Sequence, residues 1–163
     1  MRKVLIFGNS ASGKSTLARH ISASEGLAHL DLDGLAWTDS SPPERLPISV
    51  SANGIDDFVT ANTGWVIEGC YSDLIELVIA EASEVIFLDL PVAQCLENAK
   101  GRPWEPHKYS SKAAQDANLD MLLDWISQYT ERDDTFSRAA HLALYEAFNG
   151  EKLIYTSNES YFP

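Results

Sequence analysis

Gly8-Asn9-Ser10-Ala11-Ser12-Gly13-Lys14-Ser15 constrains this chain more than any other stretch. It matches the Walker A pattern at every fixed position. Its flanks match as well. Val4–Phe7 is a continuous apolar run, the signature of a strand buried on both faces, and Leu17, Ala18 and Ile21 follow at helical spacing until Gly26. Gly8 and Gly13 let the backbone between strand and helix curl without a Cβ in the way. The curled N–H groups then turn inward and form an anion nest at a helix N-terminus. Lys14 brings a mobile positive charge to the β- and γ-phosphates, and Ser15 offers a hydroxyl to Mg²⁺, an ion that keeps most of its waters. Asn9, Ser10, Ala11, Ser12, Gly13, Lys14, Ser15 and Thr16, with Gly8, are therefore expected to cradle a nucleoside triphosphate, read as ATP, with Mg²⁺.

The rest of the chain alternates between strand-like and helix-like segments. Leu27–Asp33, Trp65–Glu68, Val85–Leu90 and Leu153–Tyr155 read as strands. Asp73–Ala82, with Ser72 or Asp73 as its cap, reads as a helix, as do the stretch from Pro91 to Gly101, Lys112–Tyr129 and Phe136–Phe148. Trp37–Val50 carries Pro42, Pro43 and Pro47 and reads as irregular, with a short helix at Ile55–Ala61. Arg102–Ser111 has two prolines and no period, so it reads as a loop or lid. This alternation predicts a mostly parallel sheet covered on both sides, and one domain over residues 1–163.

Charge narrows the function. Twenty-four acidic residues face twelve basic ones, for a net charge of −12. Such a field repels polynucleotides, which excludes a broad nucleic-acid-binding face. It also repels a nucleotide, so a nucleotide site has to gather positive charge locally. That singles out Lys14, Arg102, Lys100, His107 and Lys108, the last four close together in sequence. The two cysteines, Cys70 and Cys95, form neither a disulfide framework nor a metal-ligand spacing, and read as reduced thiols of a cytoplasmic protein. Val4–Phe7 is too short for a signal peptide or a membrane span.

Four segments together resemble the small P-loop kinases of the adenylate kinase and shikimate kinase group, and most nearly the bacterial DNA topology modulation-like, adenylate-kinase-related proteins. They are Gly8–Thr16, Leu32-Asp33-Gly34-Leu35-Ala36-Trp37, Trp65-Val66-Ile67-Glu68-Gly69-Cys70-Tyr71-Ser72, and Val85–Arg102. The resemblance implies a three-layer α/β/α P-loop NTPase fold with a five-stranded parallel sheet in order 2-3-1-4-5. It also implies an acceptor-binding insertion at about 34–64 and a short lid at about 101–111. It places Asp33 where shikimate-kinase-like enzymes carry a catalytic or substrate-orienting carboxylate. Glu68 stands where the group usually has Asp, positioned to orient Mg²⁺ through water; closing the strand and capping the next turn is its alternative. Arg102, at the start of the lid, is placed to cover the nucleotide and clamp phosphates, while Lys100 and Lys108 also fit a solvated loop. Lys14, Asp33 and Arg102 are thus the catalytic candidates, and Ser15 and Glu68 the metal candidates.

Other residues carry structural readings. Asp31 would share a strand face with Asp33 by the period-two rule. Asp89 is expected to cap the helix opened by Pro91. Arg132 and Arg138 either reach transferred phosphates or form ion pairs with Glu131, Asp133 or Asp134. Trp65 is expected in the core, Trp37 on the wall of the acceptor pocket, and His20 and His29 in packing roles.

The function expected is that of an ATP-dependent kinase acting on a small-molecule acceptor. The alternative is a nucleotide-dependent regulatory or binding protein with little phosphotransfer. A plain ATPase needs a water-positioning residue, and the sequence offers no candidate for one. Adenylate kinases proper carry Asp-Gly-Phe-Pro-Arg, whose Arg grips the monophosphate; the matching stretch here, Glu68-Gly69-Cys70-Tyr71-Ser72, lacks it. Between Trp37 and Trp65 the one basic residue is Arg45. A hydroxyl-bearing or weakly charged acceptor therefore fits better than a monophosphate, and purified protein is expected not to phosphorylate AMP with efficient turnover in a coupled ADP-release assay.

Overall fold

The computed structural model describes residues 1–160. Its five strands, β1 (Lys3–Gly8), β2 (Ala28–Asp31), β3 (Trp65–Gly69), β4 (Glu84–Leu88) and β5 (Glu151–Tyr155), form one all-parallel sheet in the order β2-β3-β1-β4-β5. Alternate residues of β1 feed opposite faces. Val4 and Ile6 join Leu17, Ala18, Ile21 and Val66 on one side, while Leu5 and Phe7 join Trp65, Ile67, Leu74 and Phe87 on the other. Residues 4–8 of β1 and all of β3 are buried, as helices on both faces of a parallel sheet require.

Helix α1 (Lys14–Glu25) starts at the P-loop and stops at Gly26, whose left-handed backbone lets its N–H reach the Ser22 carbonyl. The segment between β2 and β3 holds α2 (Asp33–Ala36) and α3 (Ile48–Ala61), joined by an irregular stretch in which Trp37 and Arg45 form an antiparallel bridge. Helix α4 (Ser72–Glu76) follows β3, α5 (Val92–Lys100) follows β4, and α6 (Lys112–Ala117), α7 (Leu119–Ser127) and α8 (Arg138–Ala147) precede β5. No described helix is long and apolar enough to cross a membrane.

Several local expectations need correcting. The helix read as Ile55–Ala61 begins at Ile48, directly after Pro47, which holds the N-cap position. Asp73–Ala82 is not one helix: α4 ends at Glu76, and a 3₁₀ turn occupies Ile79–Glu81. Neither Ser72 nor Asp73 is its cap; Tyr71 holds that position, Ser72 donates to the Thr135 carbonyl and Asp73 pairs with Arg45. Lys112–Tyr129 breaks at Asn118 into α6 and α7. Strand β2 ends at Asp31, and Asp33 opens α2, so the two aspartates do not share a strand face. Asp89 does not cap α5. It accepts two hydrogen bonds from the Arg138 guanidinium, at 2.8 and 2.7 Å, and so ties the end of β4 to the start of α8. Arg138 is thereby a structural cation, although its partner is none of the three acids its sequence neighbours suggest. Arg132 does pair with Asp134, at 3.5 Å, and lies 3.4 Å over the Trp125 ring.

Under the sheet, α8 buries His141 completely between Tyr129 and the Cys70 carbonyl. A carbonyl can only accept, so Nε2 carries the proton, and Nδ1 accepts from the Tyr129 hydroxyl. Burial pushes this imidazole down to about 4, against a smaller upward pull from the Cys70 carbonyl. In the unfolded chain it titrates near its ordinary value of about 6.5. Between those two values the unfolded state binds more protons, so stability is full above the higher one and is lost as pH falls toward the lower. The loss from this group is on the order of 3 kcal/mol. His141→Phe should be less stable at neutral pH, by about 2 kcal/mol for the two hydrogen bonds removed. It should also lose less stability than wild type when urea midpoints are compared across this window. Equal slopes in the two proteins would contradict the assignment.

Candidate active site

The P-loop sits at the carboxyl end of the central strand. A Cβ on Gly8 would lie 2.6 Å from the Leu88 carbonyl oxygen, so β1 and β4 can close together here only without a side chain. Gly13, at φ 94°, is the left-handed residue that turns the loop into α1. Lys14 is largely buried and folds back to donate to the Asn9 carbonyl at 2.7 Å. Two residues without a role in the sequence reading brace the loop from outside. Asn98 of α5 donates to the Ala11 carbonyl at 2.9 Å, and Asn158 donates to the Ser12 carbonyl at 2.9 Å while accepting from Asn98. Their separation from the loop in sequence left no signal by which to find them.

Sheet order assembles the carboxylates. In register, Glu68 of β3 lies between Ile6 of β1 and Asp31 of β2. Its side chain is buried, receives the Ser15 hydroxyl at 2.7 Å, and has His29 Nε2 at 3.3 Å from the same oxygen. His29 is thus a partner of the site and not merely packed. A buried carboxylate with so few donors is costly unless positive charge reaches it. Asp31 reports the same crowding: burial, then Glu68 and Asp33, push its carboxyl up to about 6.

This arrangement fits Mg²⁺. Ser15 and Glu68 put two hard oxygen donors side by side at the mouth of the phosphate nest. Mg²⁺ takes few protein ligands and is completed by phosphate and water.

Asp33 faces the site from the start of α2. Its backbone N–H donates to Asp31 Oδ1 at 2.9 Å, and its carboxylate receives the Tyr71 hydroxyl and the Lys108 ammonium, the latter at 3.1 Å. Burial acts to raise its pKa, but Lys108, Tyr71 and Lys14 outweigh it and hold Asp33 below the ordinary carboxylate range. Burial likewise acts against the Lys108 charge, yet Asp33, Asp31 and Glu105 leave that ammonium above its ordinary value. Tyr71 in turn accepts from the Trp37 indole N–H at 2.7 Å, so Trp37 is anchored on the acceptor side with part of its ring exposed.

The lid segment runs from Arg102 to Ser111 and is pinned to α6 through Gln115, which accepts from the Glu105 N–H and donates to the Pro103 carbonyl. Within it, Glu105 gathers Arg102 at 3.2 Å, Lys108 at 3.7 Å and His107 at 3.7 Å. Lys100 points away and pairs weakly with Glu97. Arg102 lines a cleft of about 470 Å³ with Ala11, Gly13, Thr16, Asn98 and Asn158, beside the P-loop. The structure therefore brings Lys14, Ser15, Glu68, Asp31, Asp33 and Lys108 to one end of the sheet and sets Arg102 beside the loop. Tyr71 was missed because its partner Asp33 is 38 residues away in the chain.

The sequence matches no protein-family model and no curated protein. The structure is similar to the 1.7 Å crystal structure of shikimate kinase from Bacteroides thetaiotaomicron, with a TM-score of 0.55 and 13% identity over 99% of this chain and 89% of that one. At that identity the likeness establishes the P-loop kinase fold and its 2-3-1-4-5 sheet, and does not reach the DNA topology modulation-like group.

Replacing Glu68 by Gln, or Ser15 by Ala, should weaken binding of Mg²⁺-ATP by about 10- to 100-fold while changing metal-free ATP binding far less. Calorimetric titrations with Mg²⁺ and with a chelator separate the two. Equal losses in both would remove these residues from the metal site.

Proposed function

We propose that this protein is an ATP- and Mg²⁺-dependent phosphotransferase acting on a hydroxyl group of a small acceptor. The observation that carries the reading is convergence. A phosphate nest with Lys14, a paired Ser15 and Glu68, and an ionised Asp33 under Lys108 meet at one end of the sheet.

Phosphoryl transfer asks for positioning and charge stabilisation more than for covalent chemistry. Backbone amides of Gly8–Thr16 hold the β- and γ-phosphates, and Lys14 swings from the Asn9 carbonyl onto them. Ser15 and Glu68 would hold Mg²⁺, which would supply charge neutralisation at the phosphates. Arg102, in the flanking cleft, packs over the nucleotide. The acceptor hydroxyl donates to Asp33, its oxygen bonds to the γ-phosphorus, ADP leaves, and the hydroxyl proton passes to Asp33 as the new P–O bond forms.

Held low by Lys108 and Tyr71, Asp33 is a weak base in the resting site. When Lys108 turns to the transferring phosphoryl group, Asp33 loses a neutralising partner and its proton affinity rises at the step that needs it. The narrow distance between Lys108 and Asp33 makes that exchange a matter of side-chain rotation.

A coupled ADP-release assay over nucleosides, sugars and small alcohols tests the proposal, with acceptor-stimulated release expected. Asp33→Asn should lower turnover by about 10²- to 10⁴-fold with nearly unchanged ATP affinity. Lys14→Ala should lose ATP affinity itself. Flat, slow release despite tight ATP binding would replace this proposal with a nucleotide-dependent regulator.

A further inference from the structure

Arg45 is the one basic residue between Trp37 and Trp65, and hence the natural receptor for an acidic group on the acceptor. Its charge is already engaged. Arg45 donates to Asp73 Oδ2 at 2.9 Å, and its guanidinium carbon lies 5.1 Å from the Tyr71 ring centre, 5.6 Å from Phe136 and 5.9 Å from Trp37. Asp73 is fixed for the task. Its other oxygen accepts from the Leu74 N–H at 2.9 Å, and its own N–H donates to Thr135 Oγ1 at 3.0 Å. A guanidinium set against three rings and paired with a pinned carboxylate offers a ligand less charge than a free one, although its Nε has no hydrogen-bond partner.

The same Tyr71 that covers Arg45 donates its hydroxyl to Asp33 and anchors the Trp37 indole. The neutralised cation therefore forms the back of the wall whose front carries Asp33. At that front the other groups are acidic, with Asp31 and Glu68 behind Asp33, and the one lid cation that reaches it, Lys108, is shared between Asp33 and Glu105. An anionic acceptor would meet a negative field in which Lys108 and Arg45 are already paired with acids, whereas a neutral one would meet a half-exposed indole and a hydroxyl-accepting carboxylate.

We infer that the acceptor is an uncharged, hydroxyl-bearing compound with a flat apolar face, and that Asp73 sets this preference by neutralising Arg45. The inference rests on the phosphotransferase reading only for placing the acceptor at Asp33. Asp73 is a specificity-determining residue that acts through Arg45 and touches no reacting atom.

Binding, not turnover, is the test. With Mg²⁺ and a non-hydrolysable ATP analogue present, ligand-observed NMR and calorimetry compare matched probes: a nucleoside with its 5′-monophosphate, glucose with glucuronate, and methyl shikimate with shikimate. Wild type should bind the neutral member of at least one pair, and by about tenfold or more over its acid. Asp73→Asn should shrink or invert that ratio, with ATP-analogue affinity unchanged. Asp73→Ser removes the same charge with a smaller side chain and should do likewise if the Asn variant folds poorly. Arg45→Gln should keep the neutral preference. Preference for the acidic member, an unchanged ratio in the Asp73 variants, or no binding by any probe overturns the inference. Selective binding without ADP release would instead sink the phosphotransferase reading alone.

Discussion

Everything in this site is built around the space between Gly8 and the Leu88 carbonyl. Because no side chain stands there, β1 and β4 approach at their carboxyl ends, and the chain turns through the left-handed Gly13 straight into α1. A loop so curled presents its N–H groups inward and leaves its carbonyls outward, where they need partners. Asn98 and Asn158 take two of those carbonyls, and Lys14 takes a third. The bracing fixes the loop backbone against its neighbours.

The second theme is charge. A protein of net charge −12 binds a polyanion only by arranging local exceptions. Lys14 apart, which rests on the Asn9 carbonyl, the cations near the site are matched to acids. Lys108 lies between Asp33 and Glu105, Arg102 is on Glu105, and Arg45 is on Asp73. Such pairings keep cations in place within an acidic surface, and they let a cation change partner when phosphate enters, at the cost of one ion pair exchanged for another. Among the described residues no Lys or Arg pairs with Glu68, which has Ser15 and His29 beside it, and the raised Asp31 next to it shows how crowded the negative end of the sheet is.

The sheet brings Glu68, Asp31 and the P-loop to one end. Parallel strands in this order end together, so residues that close β1, β2 and β3 lie side by side whatever their distance along the chain. Opposite that edge, the insertion with α2 and α3 contributes Asp33, Trp37 and Arg45, and the lid contributes Lys108. Tyr71 joins the two by touching Asp33, Trp37 and Arg45 at once.

How much of this could be read from the chain differs by residue. The candidacy of Glu68 and Asp33 came from the resemblance to small P-loop kinases, while local pattern determined the P-loop and the strand–helix alternation, because each depends on backbone conformation over a few neighbouring residues. Even there, helix limits shifted where a pattern persists without caps, as at Asn118, or where Pro47 starts a helix early. Tertiary structure alone decided which charges meet. It placed Lys108 on Asp33, Arg138 on Asp89 and Asp73 on Arg45, and it set Arg45 against three rings. Side-chain pairings of that kind are set by how helices pack over the sheet. No spacing along the sequence encodes them, since the partners come together only when the core closes.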